Sequence, residues 1–459
     1  MYPSVELLEQ CAPQVCEEIM NSQPTKPPTK AHRGDAEQLS ATTVAAEQDI
    51  FTLLSSEETR RDPYPVYARF REQQQVLDTG TGVWFLFGYE DCNRLLRNSE
   101  VSVDERNAFM PGPGDELPTL IHLDPPDHGR LRKLVQLAFT PKRVESMRCR
   151  VEELVGQCLD RWKPGDTVDV IAELAYPVPL TIICELLGIE EDRRSRVQEW
   201  STWLAQSIDP GVLRSPELNE RINTAQTEFV EEIRARIVVR RNKPGDDLLS
   251  QLVLSEADGD RLSERELLGL AVLLLVAGHE TTVSLIGNAL HALLRSPSQL
   301  AAVREGAGLA KAGMSEVARK AEGINGAGAA ATVRRFIDEM LRFDSPVQMT
   351  TRIAMQPIEV GEKTIAPGHI VVLMLGAANH DPEFFENPEQ LDVNRERTTG
   401  HLAFGAGIHH CLGAMLARTE GEIAVAELLL RFPNISLVEE PLLRPTFVLR
   451  GRQQMLVKL

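Results

Sequence analysis

Hydrophobic positions along this chain follow a helical period over most of its length. Leu412, Met415, Leu416, Ile423, Leu428 and Leu429 fall on one helical face and predict an amphipathic helix. Leu267 to Leu294 is apolar on nearly all sides, so the helix predicted there is buried. Residues 151 to 250 read as successive amphipathic helices with short breaks such as Lys163-Pro164-Gly165-Asp166. Asp62-Pro63-Tyr64-Pro65 opens a proline-started helix carrying Val66, Tyr67 and Phe70. Val83 to Phe87 is β-branched and aromatic and predicts a strand before a helix over Tyr89–Arg97. Glu359 to Met374 reads as short strands around a Pro367-Gly368 turn. The pattern therefore predicts a mainly α fold with a small β-rich region (α+β).

Between these elements the pattern lapses in three places. Asn21 to Thr43 has almost no large apolar residue and predicts disorder, and Val5 to Met20 predicts a short amphipathic helix. Residues 1–50 thus read as an extension, and order begins near Phe51 in one domain spanning 51–459. Val101 to Leu120 reads as a long irregular loop, a kind that more often carries binding than packing. Residues 303–332 form a loose Ala/Gly segment, read as a surface insertion, with helical order returning at Val333.

Composition narrows the class. The chain has 459 residues and a net charge of -18, which argues against nucleic acid as a partner. Its seven cysteines follow no zinc-like or disulfide-framework spacing, which points to a reducing cytoplasm. No signal peptide or membrane anchor is read from the first twenty residues. The stretch Leu267 to Ala277 is interrupted by Gly269 and reads as too short to span a bilayer.

Two strings carry the chemistry. In the first, Phe404-Gly405-Ala406-Gly407-Ile408-His409-His410-Cys411-Leu412-Gly413, glycines clear space for a bulky group to lie against the backbone. Cys411 stands one residue before the helical pattern opens, where the free N–H groups of a first turn would lower a thiol's pKa and hold a soft metal ligand. A lone cysteine by a Gly-rich turn is more often a small buried hydrophobe. The second string, Ala277-Gly278-His279-Glu280-Thr281-Thr282, puts a glycine, an acid and two β-branched alcohols mid-way along a buried helix. A sequence that breaks local rules there serves a site. The Thr281 hydroxyl can bond the carbonyl of Ala277, and small residues at 277 and 278 would leave room beside a cofactor.

The first string resembles the haem-binding loop of the cytochrome P-450 family, whose iron is held by a cysteine thiolate. The second matches that family's Ala-Gly-x-(Asp/Glu)-Thr-Thr. The resemblance covers about Phe51 to the C-terminus and implies the cytochrome P-450 fold, a haem b (iron protoporphyrin IX) cofactor and a monooxygenase of the soluble bacterial type. It implies Cys411 as the iron ligand, with Phe404, Gly405, Gly413, Ala277 and Gly278 against the haem. Thr281 and Glu280 would relay protons, while His279 falls at a variable position and receives no role. His128 and Arg132 match the family's His-x-x-x-Arg and, with Arg352 and His409, would hold the haem propionates.

Further matches follow. Glu339 and Arg342 match the family's Glu-x-x-Arg, an ion pair bracing the haem loop. The usual Pro-Glu-Arg-Phe partner stretch here reads Pro388-Glu389-Gln390-Leu391, and Arg395 is the candidate substitute. Val276, Ala277, Val347, Gln348, Phe447 and Val448 fall at pocket-facing positions, which implies a hydrophobic small-molecule substrate. Trp200 and Trp203 fall among the family's lid helices. No flavin or nucleotide-binding segment is visible, so electrons would come from NAD(P)H through a ferredoxin and its reductase. Residues 128 to 150 hold seven Lys or Arg against one acid, Glu145, a candidate docking face for that acidic partner. Three alternatives stand beside this reading: a peroxide-driven member of the fold, a haem-bearing sensor, and a thiol hydrolase using Cys411 with His409 or His410.

Overall fold

A computed structural model describes residues 50–109, 117–136, 139, 141–257, 260–306, 326–396 and 400–459. The expectations for residues 1–49, for the middle of the 101–120 loop and for 307–325 lie outside the described residues.

Eight helices frame the interior: α1 (Asp127–Gln136), α2 (Pro141–Leu159), α3 (Pro177–Leu186), α4 (Arg194–Leu204), α5 (Pro216–Asn242), α6 (Glu264–Arg295), α7 (Gly326–Phe343) and α8 (Ala414–Arg431). α6 starts in a capping box: the Ser263 side chain takes the N–H of Glu266, and the Glu266 side chain takes that of Ser263. α5 starts with Ser215 as cap and Pro216 in its first turn. α6 is buried over most of its length because leucines occupy nearly every face, and the largest core cluster wraps around it. Length and composition would let α6 cross a membrane, contrary to the sequence expectation, yet 67% of its most apolar window is buried inside the fold. It is a core helix.

The main sheet is small. Its strands are β1 (Val76–Asp78), β2 (Val83–Leu86), β3 (Val101–Ser102), β4 (Thr350–Ala354) and β5 (Ile370–Leu373), in spatial order β1-β2-β5-β4-β3. β5 runs parallel to β2 and antiparallel to β4, with Val371 opposite both Trp84 and Arg352. This register brings Arg352, from late in the chain, to the sheet's interior side, where it is buried.

Two boundaries differ from expectation. Helical order after the Ala/Gly segment returns at Gly326 rather than Val333, because alanine favours helix strongly enough to extend the turn backwards. At the other end of that segment, the helix Pro297–Gly306 runs past residue 303, where the loose stretch was expected to begin.

Candidate active site

The Cys411 loop is shaped by backbone hydrogen bonds. Cys411 N donates to the Phe404 carbonyl at 3.0 Å, and Gly405 N to that of Leu402 at 2.8 Å. Gly405 and Gly407 have φ of +65° and +69°, a region side chains disfavour. A Cβ on Gly407 would stand 2.4 Å from the Leu96 carbonyl oxygen, so the loop rests directly on the Tyr89–Arg97 helix. Cys411 is enclosed by the fold, yet its sulfur borders open interior space. Burial pushes its thiol above the ordinary value; the N–H groups of Gly413 and Ala414, with Arg132 and Arg418, pull the other way without offsetting it. The expectation that the first-turn donors alone would lower this pKa is thereby corrected.

Around that loop stands a cluster of cationic and imidazole groups. His128 is buried, its ring centroid 4.2 Å from that of His409, and its Nε2 has no hydrogen-bond partner. Arg132 donates to the His410 carbonyl at 2.7 Å. Arg352 is buried and donates only to Thr351 O, at 2.7 Å, and Thr350 Oγ1, at 3.5 Å. Neither arginine has a carboxylate partner among the described residues. Burial lowers the Arg352 pKa to about 10. Burial, then His128, Arg352, Arg132 and His122, holds the His409 imidazole down to about 3. A buried and half-buried group of donors with an orphaned nitrogen and no carboxylate partner among the described residues is short of a bound anion, and the two propionates of a haem meet that requirement.

On α6, Ala277 is exposed and Thr281 half-buried in the middle of a buried helix, so this strip also borders interior space. The Thr281 hydroxyl donates to Ala277 O at 2.9 Å. Gly278 has a different reason. A Cβ there would come 2.4 Å from Ile183 Cδ1, so the glycine lets α3 and α6 approach rather than clearing room for a ligand. Glu280 does not share the open strip. It is buried, ion-paired to Arg444 through Oε2, and Oε1 accepts from Ser201 Oγ at 3.1 Å with His279 Nε2 at 3.2 Å. Its burial alone would raise the carboxyl pKa, but His279 and Arg444 overcome that and hold it at about 2.

Behind the Cys411 loop, Glu339 and Arg342 pair at 2.8 Å with both side chains wholly buried. Arg395 Nε lies 3.0 and 3.1 Å from the same carboxylate.

The pocket-facing set divides. Val347 and Phe447 are half-buried, and Val276 is buried on α6 beside Ala277. Gln348 is buried, its Oε1 accepting from Tyr67 OH at 3.1 Å and its Nε2 donating to Ser345 O at 2.7 Å. Val448 is buried in a cluster with Ile50, Leu54 and Tyr67, against which Val347 and Phe447 also pack.

Comparison with known proteins decides the family. The family model described as Cytochrome P450 matches residues 75–450. Cytochrome P450 107B1 of Saccharopolyspora erythraea is 40% identical over 83% of this chain and 90% of its own. The 6-deoxyerythronolide B hydroxylase of the same organism is 36% identical over 88% of this chain and 98% of its own. The solved structure of PksS, the cytochrome P450 of the Bacillus subtilis bacillaene polyketide synthase, superposes with a TM-score of 0.78 at 34% identity, covering 88% of this chain and 99% of that one. This chain is a cytochrome P450.

It is accordingly a haem-thiolate monooxygenase enzyme, with the α+β fold read from its sequence. The cluster of His128, Arg132, Arg352 and His409, with the open-sided Cys411, fits that cofactor. The basic run reads differently in this P450. Arg130 pairs with Glu266, Arg150 lies 2.7 Å from both Glu185 and Glu153, and Arg148 lies 3.6 Å from Glu422. Much of the run is thus neutralised by acids distant in sequence; the side chains of Lys142 and Arg143 lie outside the described residues. Sequence reasoning passed over Arg444, Ser201 and His279. A histidine inside an apolar helix was the available signal for the last.

Proposed function

We propose that this P450 inserts one oxygen atom from O2 into a hydrophobic, polyketide-class small molecule, by hydroxylation or epoxidation. It would do so on haem b, in the cytoplasm, with electrons from NAD(P)H passed by a ferredoxin reductase and a ferredoxin. The observation that carries the reading is the open-sided Cys411 set among four nitrogenous side chains, His128 and Arg352 buried and Arg132 and His409 half-buried, that have no carboxylate partner among the described residues. The printed names of two relatives, one a hydroxylase of 6-deoxyerythronolide B and one a polyketide-synthase P450, support the substrate class. The free thiols of Cys92, Cys149, Cys158 and Cys184 support a reducing compartment.

Bound there, the haem supplies an electron-rich iron at which O2 is activated. His128, Arg132, Arg352 and His409 orient it through its carboxylates. Thr281 holds a hydroxyl at the open strip of α6, and Glu280, behind it, is an ionised carboxylate that accepts and passes on protons toward that hydroxyl. Val347 and Phe447 supply apolar contact. Ile408 and Met415 are large, exposed and apolar beside Cys411, and support this face as the seat of the electron donor.

Two measurements test the reading in turn. The reduced, carbon monoxide-treated protein is expected to show the red-shifted Soret band of thiolate-ligated haem; an unshifted band removes Cys411 from its role. A macrolactone panel is then screened for Soret shifts and for NAD(P)H-dependent product with a surrogate ferredoxin and reductase. Haem binding without turnover of any electron donor would favour the sensor.

A further inference from the structure

The residue on α6 that received no role from its sequence position makes three polar contacts there, to Leu275, Ser201 and Glu280. His279 and Ser201 are wholly buried. His279 Nδ1 lies 2.6 Å from the Leu275 carbonyl, which can only accept, so Nδ1 carries a hydrogen and the ring is fixed. Its Nε2 then faces Ser201 Oγ at 2.7 Å and Glu280 Oε1 at 3.2 Å. Ser201 has one hydrogen and three neighbours: His279 Nε2, Glu280 Oε1 at 3.1 Å and Tyr176 OH at 3.1 Å. Where Nε2 is bare, it takes the serine hydrogen and leaves Glu280 Oε1 with only the long, 3.5 Å contact to Tyr176 OH. Where Nε2 carries a hydrogen, it donates toward the pair, and Ser201 O–H turns to Glu280. Either way the imidazole decides which way the serine points.

Ser201 belongs to another element. It lies on α4, which is held from its far side by Trp200 Nε1 donating to Glu228 on α5 at 2.7 Å. Arg444 and Tyr176 hold Glu280 from a C-terminal loop and from the residue before α3, neither of them part of α4. If α4 lifts from α6, Glu280 keeps Arg444 on Oε2 and loses Ser201 on Oε1.

We propose that His279 is a positioning residue, which together with Ser201 latches α4 onto α6 and orients Glu280 only while α4 is seated. The carboxylate behind Thr281 is thereby set by the closure of the helix above it. This rests on the proposed oxygenase reaction, with Glu280 as a station in its proton relay.

Three variants of the haem-loaded enzyme test it. In S201A the shared hydrogen is lost; in H279F both ring donors go; in H279Q the side-chain amide can still reach Ser201. Hydrogen exchange of residues 194–204, followed by mass spectrometry, is expected to quicken about five- to tenfold in S201A and H279F, the effect of one hydrogen bond, and to stay near wild type in H279Q. Product formed per NAD(P)H consumed should fall in the same two variants and recover in H279Q. Unchanged exchange in H279F overturns the latch. Loss in H279Q equal to that in H279F reduces His279 to packing. Faster exchange with undiminished coupling overturns the positioning of Glu280. A wild type that consumes no O2 with NAD(P)H overturns the reaction itself, and the exchange measurement then judges the latch alone.

Discussion

His128 and His409 lie 281 residues apart in the chain and face each other with ring centroids 4.2 Å apart. No described residue compensates the buried Nε2 of the first. A bound propionate would. His128→Ala is expected to weaken haem retention about 10-fold or more, the cost of one charge-assisted hydrogen bond. Haem transfer to excess apomyoglobin measures it; an unchanged transfer rate would sink the assignment.

Glu339 sits between two guanidinium groups in a site from which water is excluded. Arg395→Ala leaves its carboxylate with Arg342 as sole cationic partner, and breaking a buried pair costs on the order of 3–5 kcal/mol. The variant is expected to unfold at lower urea concentration and to lose haem with it. Arg395→Lys, a point charge without the planar fork, should recover only part of the loss.

Thr281→Ala keeps the helix and removes the hydroxyl now held by Ala277 O. Product per NAD(P)H should fall about 100-fold, the lower end of the range for one positioned acid–base group, with peroxide released in its place. Equal coupling in the variant would remove Thr281 from the relay.

Glu420 on α8 is buried, its Oε1 has no partner, and burial raises its pKa from 4.5 to about 8 against a hydrogen bond with Thr282. The folded state therefore binds this proton more tightly than the unfolded chain. Its contribution is full below about pH 4.5 and is lost as pH rises through 8. Glu420→Gln should flatten that decline, by at most about 1.4 kcal/mol per pH unit. Urea unfolding of wild type and variant at pH 5 and pH 8 reads the difference.

Gly278→Ala would drive a methyl group to 2.4 Å from Ile183 Cδ1. The expected destabilisation is about 1–3 kcal/mol, reduced in a double variant with Ile183→Val. Thermal unfolding of the two variants decides it.

These residues also mark what a sequence can and cannot carry. The Cys411 string was legible because glycine, cysteine and the following helical period constrain one another within ten positions. Arg395 was within reach as the nearest arginine beyond the altered Pro388–Leu391 stretch. Gly278 was misplaced because residue type says that a position is special, while the direction it faces depends on a partner far along the chain, here Ile183. The ion pairing of the basic run was likewise out of reach, since Glu185, Glu266 and Glu422 meet it only in three dimensions. Glu280 was legible as an acid in an apolar helix, but its seclusion behind Arg444 was not.

The two arginines that meet Glu339 spend their remaining donors on main-chain oxygens. Arg342 reaches the carbonyls of Asn379, Pro388 and Gln390, and Arg395 those of Glu386, Asn387 and Gln390. A carbonyl is the same whichever side chain follows it. The strand of chain leading to the cysteine loop is therefore gripped by its backbone and left free in its letters. That stretch can drift through mutation, as Gln390 and Leu391 have, while the geometry upstream of Cys411 stays fixed.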